Sequence, residues 1–341
     1  MNTPLISIVV TNYAGTSDLE LALSSLLKIP HDNIELIVAD CCTPNFDEWI
    51  EKNFPKAKYI HFSENIGIGG LRNAGFKLIN KSSEYVCYID DDIIVTPDFL
   101  ENLLKLMETN TDIGAVHPVR FNYIDKSRID SLGNLMTRTG FPYKIETTEE
   151  NLSKLKSGKI MDIFYGETAA MLVRTRILLQ VAVDLEPFDK DNLFAWEDVD
   201  LCWRIWLLNY RVVVTSYSSC YHNIDTGTRR AKKYDSRYTY LVTRGRFISM
   251  IKNYELSFLI KYLPIAVMID LAKAMLLLYY EPNHATAAMK GLVWWIIHIR
   301  YMMKKRYLSR RPLVKRNNEL QNIFIKTSPR QLVRQFKHNW I

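Results

Sequence analysis

The sequence predicts an α/β domain with a mainly parallel central sheet, followed by a helical, basic region. Three observations predict it. Short, near-continuous apolar runs alternate with stretches of helical period through residues 6–117, as expected for strands buried on both faces. Three of those runs end on Thr11, Asp40 and Asp90, polar residues at the strand ends where sheets of this type hold their ligands. Past residue 234 the strand signals stop, and long apolar segments lead into a run of Lys and Arg.

Taken in order, residues 6–11 form a β-branched run and residues 19–27 carry leucines at helical period, giving a strand and then a helix. A second strand is expected at 34–40 and a third at 59–62. A helix over 71–79 is entered through Gly67, Gly69 and Gly70. A strand at 85–90, a helix at 97–108 and a strand at 113–117 complete this half. From 121 to 157 the pattern weakens to turns and polar residues, read as an acceptor-side loop or a mobile insertion. Order returns at 160–174, helix signals begin at Thr175, and Ala195-Trp-Glu-Asp-Val-Asp200 opens a helix with acids in its first turn, where the macrodipole favours them. One more strand at 211–215 precedes His222.

With 341 residues, 48% of them hydrophobic, the chain has enough apolar content to exclude general disorder. The formal net charge of +7 gathers late, in Lys304, Lys305, Arg306, Arg310, Arg311, Lys315 and Arg316. That placement, beside apolar helices at 256–280 and 291–303, points to an anionic membrane surface and not to nucleic acid. Charges and Pro264 interrupt the first of these segments, so helices lying in the membrane interface are expected over a clean span. Five cysteines without CxxC or zinc-type spacing fit a reduced setting. No signal peptide is expected from Met1-Asn-Thr-Pro-Leu-Ile-Ser.

The chain is organised around Tyr85-Val-Cys-Tyr-Ile-Asp90-Asp91-Asp92, an apolar strand ending on three carboxylates. If the backbone stays extended there, Asp90 and Asp92 share one side and Asp91 faces the other. A hard divalent ion holding phosphate oxygens would turn their mutual repulsion into attraction.

The collinear series Thr11-Asn-Tyr13, Ile37-Val-Ala-Asp40, Asn65-Ile-Gly67-Ile-Gly69-Gly70-Leu-Arg72, Ile89-Asp-Asp-Asp92, Gly166-Glu-Thr-Ala-Ala, Trp196-Glu-Asp198-Val-Asp200 and His222 resembles the family-2 inverting glycosyltransferases, most of all their rhamnosyltransferase-like branch. The resemblance implies a GT-A fold. Residues 1–230 would be the catalytic domain, with 1–118 as the nucleotide-sugar half and 119–230 as the acceptor half. Residues 231–341 would be a helical, membrane-associating region at the cytoplasmic face of the cell membrane. It implies donor contacts at Thr11, Tyr13, Asp40, Asn65, Gly67, Arg72, Asp90 and Asp91, and Mg²⁺ or Mn²⁺ held by Asp90, Asp92 and His222. On the acceptor side it implies Gly166, Glu167, Trp196 and Glu197, with Asp198 as the general base.

Each role has a plainer alternative on the residues alone. Asp40 could be a turn residue, the glycines could serve a tight strand-to-helix turn, and His222 could be a bystander in a loop. Asp200 and Arg204, four apart, read as a helix-stabilising pair. The implied partners are a nucleoside-diphosphate-sugar and a glycan or polyprenyl-linked acceptor, with homo-oligomerisation left open. The tail offers only Gln331-Leu-Val-Arg334-Gln335 where processive synthases of the wider family carry Gln-x-x-Arg-Trp, so one sugar per acceptor visit is expected. A sugar-phosphate nucleotidyltransferase is the competing enzyme class, but Asn12-Tyr-Ala-Gly-Thr16 lacks the basic, Gly-rich loop expected after its first strand. A catalytically inactive, membrane-attached nucleotide-sugar-binding protein is the competing non-enzyme.

Overall fold

A computed structural model describes residues 3–158, 160–223, 235–312, 320 and 323–325. The elements in chain order are β1 (Ile6–Tyr13), α1 (Ser17–Leu26), β2 (Ile34–Cys41), α2 (Phe46–Asn53), β3 (Lys58–Phe62), α3 (Ile68–Lys77), β4 (Tyr85–Asp90), β5 (Ile93–Val95) and α4 (Phe99–Thr109). Then come β6 (Ile113–Asn122), β7 (Ile129–Ser131), β8 (Asn134–Thr137), β9 (Pro142–Lys144), α5 (Glu149–Gly158), β10 (Ile160–Asp162), β11 (Ala170–Arg174), α6 (Thr175–Val181), α7 (Glu197–Leu207) and β12 (Arg211–His222). The tail holds α8 (Ser236–Asn253), α9 (Leu256–Tyr280), α10 (Pro282–Ile297), α11 (Ile299–Arg310) and β13 (Phe324–Ile325).

The main sheet runs β10-β12-β6-β11-β4-β1-β2-β3. Its β4-β1-β2-β3 half is parallel, and β11 enters antiparallel between β4 and β6. Strand alternation sends successive residues to opposite faces. Val9, Ile37 and Tyr88 thus join one core layer with Phe76 of α3, Trp203 of α7 and Phe247 of α8. Ile8, Val10, Val38 and Ile89 join the other with Leu23 of α1 and Leu103 of α4. This two-sided burial is why the strands read as unbroken apolar runs.

Three expectations need correction. The 121–157 stretch is neither a loop nor a plain insertion: it contributes β7 to the main sheet and builds a small sheet, β13-β8-β9. The last core strand does not stop at Thr215 but runs to His222, through a register shift between Thr215 and Ser219 whose polar residues interrupt the apolar run. The tail is also not free of strands, because β13 pairs with β8. Phe324 fixes that two-residue strand by packing near the rings of Phe164, Trp203 and Tyr254, at 5.1, 5.8 and 5.9 Å between centroids.

Helix α8 belongs to the same core as the sheet. Its Phe247, Ile248, Met250 and Ile251 are buried with Trp203, and Arg246 meets Asp270 of α9 in a buried ion pair. Helix α9 is different in character. Among the described residues it alone is long and apolar enough to cross a membrane, with a mean hydropathy of 1.7, yet much of its apolar surface is exposed. Lys315, Arg316 and the 331–335 segment lie outside the described residues.

Candidate active site

The parallel register of β1, β2 and β4 sets Thr11 opposite Asp90, and Asn12 opposite Asp40, at one edge of the sheet. Thr11 Oγ1 donates to Asp90 Oδ1 at 2.7 Å. Arg72, from α3 and only 2% exposed, donates from Nη2 to the same oxygen at 2.9 Å and from Nη1 to Glu197 Oε1 at 2.8 Å. One guanidinium therefore ties the end of β4 to the start of α7, Arg72 and Glu197 being 125 residues apart in sequence. Burial works against its charge, but Asp90, Glu197 and Asp198 together hold Arg72 more firmly protonated than usual.

The three aspartates do not act as a set. The chain turns at Asp91 and Asp92, so the extended-strand alternation does not govern them. Asp90 goes to Arg72. Asp91 Oδ2 accepts the Tyr13 amide at 3.4 Å, a backbone donor and not Arg72. Asp92 lies on the β12 side, where its Oδ2 is 3.3 Å from His222 Nε2. His222 Nδ1 is 3.0 Å from Asp130 Oδ2, which also accepts from Arg120 Nε at 2.5 Å. Burial opposes charge on His222, but Asp130 and Asp92 raise it to about 9. Asp130 itself is held far below the carboxylate range despite burial, by His222 and Arg120. His222 thus lies within a strand and inside a hydrogen-bonded chain, not in a loop.

Asp40 lies near the end of β2. Its side chain is fully buried, with Asn12 Nδ2 and Thr43 Oγ1 donating to Oδ1 at 2.5 and 2.6 Å and His61 Nδ1 at 2.6 Å from Oδ2. Such a carboxylate braces the ends of β1, β2 and β3. Exposed Tyr13 presents the aromatic surface at this edge.

The glycines also serve the protein before any ligand. Gly67 has φ +77°, a left-handed conformation that favours glycine, and a Cβ there would lie 2.8 Å from the Leu193 carbonyl oxygen. The Asn65 side chain is spent on that turn, accepting the Gly67 amide at 2.8 Å. A Cβ on Gly69 would lie 3.4 Å from the Asp189 carbonyl. The close approach these glycines permit is therefore that of the segment leading into α7. Gly166, likewise, makes room for His117, whose ring atoms would sit 2.7 Å from a Cβ there.

Before α7, Ala195 and Trp196 take φ of +58° and +84°, strained values for residues with side chains. Trp196 is 3% exposed and packs under Gly245 of α8, so it anchors the turn. The turn delivers Glu197 to Arg72 and leaves Asp198 half-buried. Burial, then Glu197, then Glu167 push the Asp198 carboxyl well above its ordinary range, with Arg72 and the Val199 amide pulling back. Burial raises Glu197 as well, against Arg72. Glu167 behaves oppositely. Despite burial it is held well below the usual range by Arg120 and His117, and it accepts from Ser131 at 2.8 Å and Asn134 at 2.9 Å. Asp200 pairs with Arg204 at 2.8 Å, as the spacing suggests.

The structure adds His61, Thr43, His117, Arg120, Asp130, Ser131 and Asn134 to the residues legible in the sequence. Ser131 and Asn134 sat in the stretch without periodicity, and Arg120 lay just past the expected end of β6. None carried a local signal.

Comparison with known proteins agrees with this geometry. Residues 7–166 match the family described as Glycosyl transferase family 2. The chain is 32% identical over 203 residues to the putative glycosyltransferase EpsH of Bacillus subtilis, covering 58% of this chain and 56% of that protein. It is 32% identical over 107 residues to the putative colanic acid biosynthesis glycosyl transferase WcaA of Escherichia coli, covering 30% of this chain and 38% of the relative. The matches thus span at most little more than half the length of these relatives. Among solved structures, GalNAc-T7 with UDP, GalNAc and Mn²⁺ superposes with a TM-score of 0.61 at 12% identity, covering 90% of this chain and 59% of its own. The mannosyltransferase PcManGT of Pyrobaculum calidifontis, in complex with GDP-Man and Mn²⁺, gives 0.53 at 14% identity over 92% of this chain and 86% of that one. At such identities these two show a shared fold, which is GT-A-like. Sheet order, strand-end carboxylates and sequence similarity converge on one stretch: residues 7–166 match glycosyltransferase family 2.

Proposed function

We propose that the chain is an inverting, metal-dependent glycosyltransferase that moves a hexosyl unit from a nucleoside-diphosphate-sugar to a glycan or lipid-linked acceptor. The observation that carries this reading is the Arg72 bridge, which joins the donor-side Asp90 to Glu197 beside a carboxyl, Asp198, of raised basicity. The named structural neighbours were solved with UDP or GDP-Man and Mn²⁺, which supports a nucleotide-sugar donor and a divalent ion. The narrower likeness to rhamnosyltransferases rests on sequence motifs alone.

The residues fit such an ion. With Nδ1 of His222 directed at Asp130, Nε2 is turned toward Asp92, so His222 and Asp92 would hold an ion with one nitrogen and one hard oxygen once the Nε2 proton, which Asp130 and Asp92 favour, is displaced. No cluster of three ligating side chains occurs among the described residues, so diphosphate oxygens and water would complete the set. When bound, Mg²⁺ or Mn²⁺ supplies charge stabilisation for the departing diphosphate. The protein does the rest. Tyr13 flanks the nucleotide, Asp90 and Arg72 fix the sugar side, and Asp198 takes the acceptor hydroxyl proton. As that oxygen bonds to the anomeric carbon, the bond from the same carbon to the diphosphate oxygen breaks on the opposite face, and the nucleoside diphosphate leaves. Screening the full chain against a panel of nucleotide-sugars with Mn²⁺ should give nucleoside-diphosphate release for one or few donors, lost with EDTA. Metal-independent release, or none across the panel, would remove this reading.

The same proposal places the enzyme at the cytoplasmic membrane face. Ile260, Met268 and Leu276 of α9 and Tyr280 at its end are exposed, leaving the helix with more apolar surface than a soluble protein requires. Changing Ile260, Met268 and Leu276 together to Asn should weaken co-sedimentation with anionic vesicles by roughly tenfold or more, since each buried aliphatic contributes about 1.5–3 kcal/mol. Unchanged sedimentation would show that this surface does not meet lipid.

A further inference from the structure

Residues 182–196, between α6 and α7, hold four of the eight non-glycine residues with positive φ among the described residues: Asp184, Leu185, Ala195 and Trp196. Each such residue costs on the order of 1–3 kcal/mol and persists only where its surroundings over-determine it. One flank is clear. Asn73 of α3 pairs with both the amide and the carbonyl of Phe188, at 2.9 and 2.8 Å, and the Ile68 amide donates to Leu193 at 3.2 Å.

The other flank comes from the far end of the chain. Lys252 of α8 meets Asp189 at 2.5 Å and Asp200 at 3.0 Å. Tyr301 of α11 donates to Asp191 at 2.8 Å, and Arg244 to the Asp191 carbonyl at 3.0 Å. Lys305 of α11 pairs with Asp189 and Asp191 at once, the one side chain among the described residues that bridges both. Asp189 is buried, so its charge stays in place only while these cations face it.

We propose that Lys305 is a positioning residue for the base: by bridging Asp189 and Asp191 it holds residues 182–196 in the strained path that sets Asp198 at the cleft. The inference rests on the reading of Asp198 as base. It makes α11 part of the transfer machinery, although among the described residues α11 has no hydrogen bond or ion pair with the donor-side or base carboxylates. Loosening the bridge lets water reach the Ala195–Asp198 turn, which erodes the burial that raises Asp198.

The test compares Lys305→Met, Lys305→Arg and Asp191→Asn in the full chain. Lys305→Met should lower kcat by roughly tenfold to a hundredfold with donor KM unchanged, and should move the acid limb of the pH–rate profile to lower pH. Lys305→Arg, which keeps the bridge, should restore both. Asp191→Asn, a milder change, should give the same shift at smaller size. Hydrogen exchange supplies a readout independent of turnover. The amides of Asn192 and Asp200, bonded to the Asp189 and Trp196 carbonyls, should exchange faster in Lys305→Met while β1 and β4 do not change. Local exchange that rises without any change in rate or pH limb overturns the proposal, as does exchange that rises throughout. If the wild type turns over no nucleotide-sugar, the functional reading fails, and exchange alone still decides whether Lys305 holds the turn.

Discussion

Asp198→Asn is expected to lower transfer by about 10²–10⁴-fold, the usual worth of a general base, while donor affinity stays at the wild-type value. The substitution keeps shape and removes one proton acceptor at the head of α7. It should also stabilise the fold. The Asp198 carboxyl is raised above its unfolded value by burial and by Glu197 and Glu167, so its ionised form destabilises the native state. That penalty is absent below the unfolded value of about 4 and grows as pH rises toward the folded one. The variant should therefore melt higher than wild type at pH 7.5, by a few degrees for each kcal/mol relieved, and match it near pH 3. Wild-type turnover should rise with pH through the Asp198 titration, well above the ordinary carboxylate range, and the variant should lack that limb. Melting at the wild-type temperature with intact transfer would place the base elsewhere.

The second large effect belongs to Arg72. Arg72→Met keeps most of the apolar stem but leaves Asp90 and buried Glu197 without their shared cation. Breaking a buried pair in this way costs about 3–5 kcal/mol, because the remaining charge is uncompensated. Glu197, already raised by burial against the pull of Arg72, would be raised further in the folded state, a destabilisation present above its unfolded value and relieved as pH falls. Urea unfolding should show the full deficit at pH 7.5 and a smaller one at pH 5. An equal deficit at both would mean that Arg72 contributes packing and not charge. Donor hydrolysis should fall with it, since Asp90 loses the partner that orients it.

The strands of the donor half were legible because two-sided burial writes itself as apolar runs, and Asp90 because a strand that stops on carboxylates is conspicuous. The end of β4 was placed to the residue. What those carboxylates face was not legible. Arg72 reaches Glu197 across 125 residues and Asp130 reaches His222 across 92, and pairings so distant leave no local pattern. The burial of Asp40 against Asn12, Thr43 and His61 was not legible either, because a strand-end acid looks the same whether it faces solvent or protein. The glycines after β3 were recognised as sites of close approach, but the approaching backbone is that of Leu193. Trp196 shows the same limit: its position before the base was evident, whereas its left-handed backbone and its burial under Gly245 arise from α8, some fifty residues later.

The proposed transfer is a single displacement across the cleft between the donor-side acids and Asp198. Its most direct test is the anomeric configuration of the sugar first released when the enzyme hydrolyses its donor in the presence of Mn²⁺, followed by proton NMR before mutarotation. Water entering from the Asp198 side predicts the anomer opposite to that of the donor. Release of the same anomer would contradict the account.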